Sequence, residues 1–422
     1  MQKNRRRGLP LNLRPLLEAL PPQPLEAIRT VASTADAQGL PVYLVGGIVR
    51  DLLLGRPNLD IDLVVEADAV AFATRLAQEM NVILRVQRRF GTAKLFRKGL
   101  AIDIVTARTE TYPHPGSLPV VEPGTIEDDL FRRDFTINAM AVSLNAHSFG
   151  ELRDPFGGEP DLKARLLRIL HDRSFTDDAT RIFRGLRYEE RLGFSWESHT
   201  AGLLRRDAPM VDTISGDRLR RELELIFKER QPENILCRAC ELGVLQQIHP
   251  ALKCDEEIRR RFRRAREQGF GDDTAISFSL LAYGLGPEEC RELQQRLRTP
   301  GAPARAMGDA LSLRDELLEL REPGLPNSRL HQILGAYSVS AIKAVSAATD
   351  DALVRQRLEL YLTRLRFVKP SLTGEDVLSM KALSGPELGG ILKRLRAARL
   401  DGEVQTPEEE IAKVRQWLTG NK

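Results

Sequence analysis

Three aspartates and a glycine pair are the residues of this chain whose types and spacing lend themselves to chemistry: Asp60, Asp62, Asp103 and Gly46-Gly47. In the stretch PVYLVGGIVRDLLLGRPNLDIDLVV (41–65), Asp60 and Asp62 stand two apart in an apolar run. Side chains on a strand repeat every second residue, so the two carboxylates share a face while Ile61 and Leu63 turn to the core. Adjacent carboxylates repel each other, and their hard oxygens suit Mg²⁺. In AIDIVTAR (101–108), Ile102 and Ile104 face inward and put Asp103 on the opposite face. A third carboxylate on a neighbouring strand is what a site for two metal ions requires, because ions about 4 Å apart must both be held during in-line attack. Twelve residues separate Gly47 from Asp60. Glycine lets the backbone approach a ligand closely, and the helix start that follows would offer N–H groups to phosphate oxygens. Phosphate on one side and metal carboxylates on the other spell nucleotidyl transfer. Each signal alone is equally a plain tight turn or a solvated strand end; the inference rests on their joint occurrence.

Two further clusters add recognition chemistry. In IEDDLFRRDFTINAMAVSL (126–144), Arg132, Arg133, Asp134 and Asn138 lie close together ahead of an apolar strand. Arginines neutralise triphosphate oxygens, while an Asp and an Asn accept from and donate to ribose hydroxyls. Read alone, the stretch is a helix start capped by Asp134. In DDATRIFRGLRYEERLGF (177–194), Asp178 and Arg181 are three apart and share a helix face. Cytosine and adenine each present an exocyclic amino donor beside a ring-nitrogen acceptor, so one carboxylate and one guanidinium could select both without a template. The plain alternative is a surface salt bridge worth under about 0.5 kcal/mol.

The elements that must position these groups follow from periodicity. Residues 1–40 read as a basic lead-in, with Arg5, Arg6 and Arg7, and one helix ended by Gly39. The head is expected over 41–165, with strands in VILRV and AKLFRK joined through RRFGT at Gly91, then AIDIVTAR. TYPHPGSLPVVEPGT (111–125) is dense in Pro and Gly and is expected to be a loop beside the sheet. From Leu166 onward the spacing turns helical and stays so. The fold class is therefore α+β: a mixed sheet with flanking helices, then an all-α neck (166–250) and an all-α body and tail (251–422).

Composition sets the bounds. With 422 residues, 42% hydrophobic and 29% charged, the chain has room for two to four domains and a sizeable core. A net charge of +4 is no polycation, but arginines cluster at 259–266 and basic residues at 393–399, a footprint that suits RNA phosphate as well as a solvated face. Four cysteines suggest no disulfide framework and a reducing compartment. Cys237-x-x-Cys240 has no second close pair, so zinc is not expected there. No apolar run approaches the roughly 20 residues of a membrane span, and the expectation is a cytoplasmic protein without a membrane partner.

GGIVRDLLLGRPNLDIDLVV, RRDFTINAMA and DDATR together resemble the head and neck motifs of the class II, bacterial-type tRNA nucleotidyltransferases and their poly(A) polymerase relatives, built on a DNA-polymerase-β-like palm. The resemblance implies two Mg²⁺ held by Asp60, Asp62 and Asp103, with Gly46, Gly47 and Arg50 on the triphosphate. It implies sugar and phosphate contacts from Arg133, Asp134 and Asn138, and base selection by Asp178 with Arg181. It also reads DPFGGEPDLKARLLR (154–168) as a flexible connector hinged at Gly157 and Gly158. The usual first residue of the DDATR motif is Glu, where this chain has Asp177. The implied substrates are ATP, with CTP as a second candidate, and the 3′ end of tRNA, to which CCA, CC or only the terminal A would be added. A poly(A)-polymerase-like activity on other RNA, transfer to a small molecule or protein, and a non-catalytic RNA-binding role are the rival readings.

Overall fold

The computed structural model describes residues 11–87, 91–97 and 99–419. The basic run Arg5 to Arg7 and the linker residues Arg88, Arg89 and Phe90 lie outside the described residues. The chain divides into two compact units, Met1–Ser215 with Leu242–Val244, and Gly216–Glu241 with Leu245–Lys422.

The first unit is built on short, apolar strands: β1 (Val42–Val45), β2 (Ile61–Val65), β3 (Ile83–Gln87), β4 (Thr92–Arg97), β5 (Leu100–Thr106), β6 (Arg108–Thr111), β7 (Val120–Pro123), β8 (Ala141–Ser143) and β9 (Leu152–Arg153). Seven of them form one sheet in the order β3-β4-β5-β2-β1-β8-β9. Only β2 and β5 run parallel; the other neighbours are antiparallel, so the sheet is mixed as expected. Helices α1 (Arg14–Glu18), α2 (Pro22–Ala37), α3 (Gly47–Leu53), α4 (Ala69–Met80) and α5 (Ile126–Phe131) flank it. Helix α4 starts where Asp68 accepts from the Val70 and Ala71 amides, ends on left-handed Asn81, and lays Phe72, Ala73 and Leu76 on the sheet. Ile61, Leu63, Ile102 and Ile104 are all buried to within 1%, so the inward face was read correctly. On the other face Val64 joins Val45, Ala107, Leu130, Ala139 and Ala141 in a core cluster, and Asp62 lies at the end of that same face.

The expected loop 111–125 is instead a β-ribbon over part of its length, with β6 antiparallel to β7 and Thr111 opposite Val120. Its strands are four residues each and Pro123 closes the second. Proline is tolerated on such an edge, and the Pro/Gly density that signalled a loop marks the tip between the strands. The connector 154–168 also differs from a hinge. Gly157 has φ +76°, but a Cβ on Gly158 would run into the Thr136 carbonyl, so α6 (Gly158–Ala164) is packed closely on the head.

Helices α7 (Ser174–Asp177), α8 (Thr180–Leu192) and α9 (Ser198–Asp207) continue this unit, and Leu166–Leu167 pairs in parallel with Ser195–Trp196, so the neck expected to be all-α from Leu166 carries a short pair of strands. They share the sheet's unit because Trp196 packs edge-on against both Phe135 (centroids 5.8 Å) and Phe175 (6.3 Å). Gly185 of α8 makes room for this, since a Cβ there would meet Trp196 and Phe135.

Among its described residues the second unit contains helices and no strand. In its core Phe227 stacks on Phe262 (5.9 Å between centroids) and meets Phe278 edge-on (5.0 Å), the latter on the almost wholly buried helix Thr274–Ala282. A separate cluster of Val377, Leu395, Ala398, Val404 and Val414 holds the last helices. The expectation of unpaired cysteines is corrected here: Cys237 and Cys254 form a disulfide, with Cα atoms 4.9 Å apart. Spacing could not reveal this, because the pairing depends on the turn ahead of helix Glu256–Glu267 folding back on helix Pro232–Glu241. Among the described residues no helix is long and apolar enough to cross a membrane.

Candidate active site

The glycine turn has a steric need for glycine at its first position. Gly46 has φ +77° and ψ −138°, a conformation open in practice only to glycine. A Cβ placed on it would stand 2.9 Å from Arg133 Nη1 and 3.8 Å from Asp62 Oδ2. The turn is thus wedged between an acid and a guanidinium.

The three aspartates gather at one end of the sheet. The parallel register sets Asp62 directly beside Asp103. Asp60 is the exposed residue just before β2, its amide donating to Asn58 Oδ1 (3.0 Å). Strand pairing therefore begins one residue later than expected. Burial first, and then the negative charges of Asp103 and Asp60, raise the Asp62 carboxyl to about 6 against the opposing pull of Arg133 and Lys94. Asp103 meets Lys94 Nζ at 2.7 Å, with both side chains about two-fifths exposed. Among the described residues no group of three or more His, Cys, Asp or Glu is drawn together tightly enough to hold a metal ion as it stands. The acids are near enough to repel, and Asp103 is turned to a lysine. Oxygen-only donors that repel one another on a partly solvated sheet end have the chemistry of a hard divalent-cation site.

Arg133 is steadied by a residue that sequence reasoning missed. Asp129 is fully buried and accepts from Arg133 Nη2 (2.8 Å) and, through its other oxygen, from Arg132 Nε and Nη2 (2.9 and 2.6 Å). Its spacing of three and four residues from these arginines on one helical turn was a legible signal.

Arg50, Asp134 and Asn138, expected to touch triphosphate and ribose directly, are instead buried together. Arg50 forks onto Asp51 with both bonds at 2.9 Å and donates to Asn138 Oδ1 (2.8 Å). Asn138 donates on to Asp134 (3.0 Å), which also accepts from the Phe135 amide (2.8 Å) and from Arg184 Nε (2.7 Å). Burial alone would raise the Asp134 carboxyl, but Arg184 and these hydrogen bonds outweigh it and hold it below the usual range.

At the base-selecting motif, Asp178 is extended and stands ahead of α8 rather than on a helix face shared with Arg181 as expected, its Oδ1 accepting from the Thr180 amide (3.1 Å) and hydroxyl (2.7 Å). Arg181 is 5% exposed, and its fork donates to Ser174 Oγ (2.7 Å) and the Arg132 carbonyl (2.8 Å). It lines a cavity of about 470 Å³ with Tyr112, Phe131, Arg132, His171 and Asp177. The structure therefore brings Gly46, Asp60, Asp62, Asp103 and Arg133 to one place, and sets Arg181 against the carbonyl of the residue before Arg133.

Residues 42–168 match the family described as "Poly A polymerase head domain", and residues 193–255 match "Probable RNA and SrmB- binding site of polymerase A". The chain is 36% identical over 411 residues, 93% of its length, to the A-adding tRNA nucleotidyltransferase of Geobacter sulfurreducens, but spans about half, 47%, of that protein. It is 32% identical to the CC-adding tRNA nucleotidyltransferase of Deinococcus radiodurans, covering 90% of each. Among solved structures, an apo CCA-adding enzyme superposes with a TM-score of 0.85 at 32% identity, covering 96% of this chain and 99% of the other. The Thermotoga maritima CCA-adding enzyme complexed with tRNA gives 0.78 at 31% identity over 97% and 99%.

Proposed function

The chain belongs to the family of bacterial-type tRNA nucleotidyltransferases and poly(A) polymerases, and from that premise we propose that it adds nucleotides to the 3′ end of tRNA without a template. The observation that carries this is the Gly46 turn, set between Asp62 and Arg133 at the edge where Asp103 and Asp60 also stand. In this reading a triphosphate lies along the turn, where the absence of a side chain allows backbone contact and Arg133, anchored on Asp129, meets its charge. Asp60, Asp62 and Asp103 would hold Mg²⁺, which when bound supplies the charge that favours an ionised RNA 3′-hydroxyl and a departing pyrophosphate. Raised to about 6, Asp62 is mostly ionised at neutral pH and ready to act as ligand. Asp178 and Arg181 would read the amino donor and ring-nitrogen acceptor shared by adenine and cytosine. Arg50, Asp134 and Asn138 act from behind, as the frame that fixes the turn. The protein would work in the cytoplasm, where the Cys237–Cys254 bond follows the local redox poise.

We take addition of the terminal A, from ATP, as the reaction, on the strength of the likeness to the A-adding Geobacter protein; addition of the whole CCA is the second reading, favoured by the structural likeness to CCA-adding enzymes. The test incubates the protein with tRNA transcripts lacking CCA, lacking only the terminal A, or complete, and labelled ATP or CTP separately. Label from ATP on the second transcript alone is expected. CTP incorporation overturns the A-only reading, and no incorporation at all leaves the non-catalytic RNA-binding alternative.

A further inference from the structure

Arg50, Asp134 and Asn138 are 5%, 6% and 5% exposed, and each is one member of a longer unbroken run of polar contacts. Arg184 Nε donates to Asp134 Oδ2 (2.7 Å), and Asp134 Oδ1 accepts from Asn138 Nδ2 (3.0 Å). Asn138 Oδ1 accepts from Arg50 Nη1 (2.8 Å), and Arg50 forks onto Asp51. Asp51 Oδ2 accepts from Asn58 Nδ2 (2.7 Å), and Asn58 Oδ1 accepts from the backbone amide of Asp60 (3.0 Å). One end of this run stands on α8, the helix that carries Arg181; the other ends on the backbone of the first of the three acids.

Its composition is ordered. Charges alternate from guanidinium to carboxylate to guanidinium to carboxylate, and an amide stands wherever a contact must accept on one side and donate on the other. Asn138 receives from an arginine and gives to an aspartate; Asn58 receives from a backbone N–H and gives to an aspartate. Neither a carboxylate nor a hydrocarbon can do both. The Tyr188 ring backs the run, with Arg50 5.4 Å and Arg184 6.0 Å from its centroid. In a buried site of low dielectric, displacing one member leaves the next with an unmet charge, so the members hold place together.

We infer that Arg184 is a positioning residue for nucleotide transfer: through Asp134, Asn138, Arg50, Asp51 and Asn58 it fixes the main chain that carries Asp60, and so couples the base-binding helix to the metal-binding acids. This deepens the proposed function and rests on it. The Arg184 side chain is 41% exposed, so substitutions there sit at the surface end of the run.

The experiment measures Mn²⁺ binding by electron paramagnetic resonance, without nucleotide or RNA, for the unaltered chain, Arg184→Met, Arg184→Lys, Asn58→Ala and the Arg184→Met/Asn58→Ala pair. Arg184→Met is expected to raise the Mn²⁺ Kd by roughly tenfold, the fold-change of one charge-assisted hydrogen bond. Arg184→Lys, which keeps the charge without the directed Nε–H, falls between. The double variant loses less than the product of its single losses, because both cut one run. Unchanged Mn²⁺ affinity in Arg184→Met, or independent losses in the pair, overturns the inference, as does an unaltered chain that binds no Mn²⁺. Should Arg184→Met not fold, Arg184→Lys decides alone: affinity equal to the unaltered chain overturns the inference. Nucleotide addition by the unaltered chain is assayed in parallel. Its absence overturns the proposed function, while the metal-binding comparison still judges the run of contacts.

Discussion

Replacing Gly46 with alanine isolates the turn that stands between Asp62 and Arg133, and the structure supplies a control for it. The backbone at Gly46, φ +77° and ψ −138°, costs a non-glycine residue about 2 kcal/mol. In a unit of this size that lowers the Tm by ~6 °C. The new methyl would also stand 2.9 Å from Arg133 Nη1, closer than a Cβ contact tolerates. The guanidinium cannot simply swing aside, because its other amino group is bonded to the fully buried Asp129 at 2.8 Å. Losing one oriented cation from a transition state typically costs about 3 kcal/mol, on the order of 100-fold in kcat. Gly55 is the control: φ is +64° and nothing lies within 4 Å of where its Cβ would be. Gly55→Ala should lose about 1 kcal/mol of stability from left-handed strain and no activity. Both variants are compared for thermal unfolding and for AMP incorporation into tRNA lacking its terminal A. Equal activity in the two would show that Gly46 is needed only for its backbone angles and would sink the claim that it makes room beside Arg133.

Other outcomes follow from the same geometry. Because Asp62 is raised to about 6, Mn²⁺ affinity should fall about tenfold per pH unit below 6 and level off above it; a flat profile from pH 5 to 8 would contradict this. The sign for stability is the reverse. The folded state holds the Asp62 proton more tightly than the unfolded chain, so Asp62 costs stability as pH rises from about 4 to 6, and Asp62→Asn should be more stable at pH 7 by up to about 3 kcal/mol in urea titration. Asp129→Asn removes a buried carboxylate from beneath Arg132 and Arg133 and should cost roughly 3–5 kcal/mol; a denaturation midpoint like that of the unaltered chain would show the pair to be dispensable. Reducing Cys237–Cys254, which closes a sequence separation of 17, should destabilise the second unit by about 3 kcal/mol. Cys254→Ser should be insensitive to dithiothreitol, and a reductant-induced shift in that variant would point elsewhere.

Much of the site could be read from short-range pattern. The alternation in IDLVV and LAIDIVT fixed which residues face inward, and Ile61, Leu63, Ile102 and Ile104 are buried as that period requires. Gly46-Gly47 ahead of an amphipathic turn announced a conformation that only glycine adopts. The ribbon at 108–123 was hidden because proline and glycine at its tip outweighed two strands of four residues each. The disulfide was hidden because Cys237 lies three residues from Cys240 in sequence and beside Cys254 only in space.

Residue types and their spacing by themselves determined the chemistry this protein can attempt: acids on a strand face, a glycine turn, arginines that follow, and a helical remainder. These follow from periods of two and 3.6 residues and need no partner from elsewhere in the chain. Only the tertiary structure decided which polar groups face outward and which brace them. Arg133 is presented beside Gly46, whereas Arg50, Asp134 and Asn138 turn inward and are joined by Arg184, Asp51 and Asn58. That choice depends on where residues some 50 to 90 positions apart come to rest, because a buried charge must find its counter-charge wherever the fold brings one.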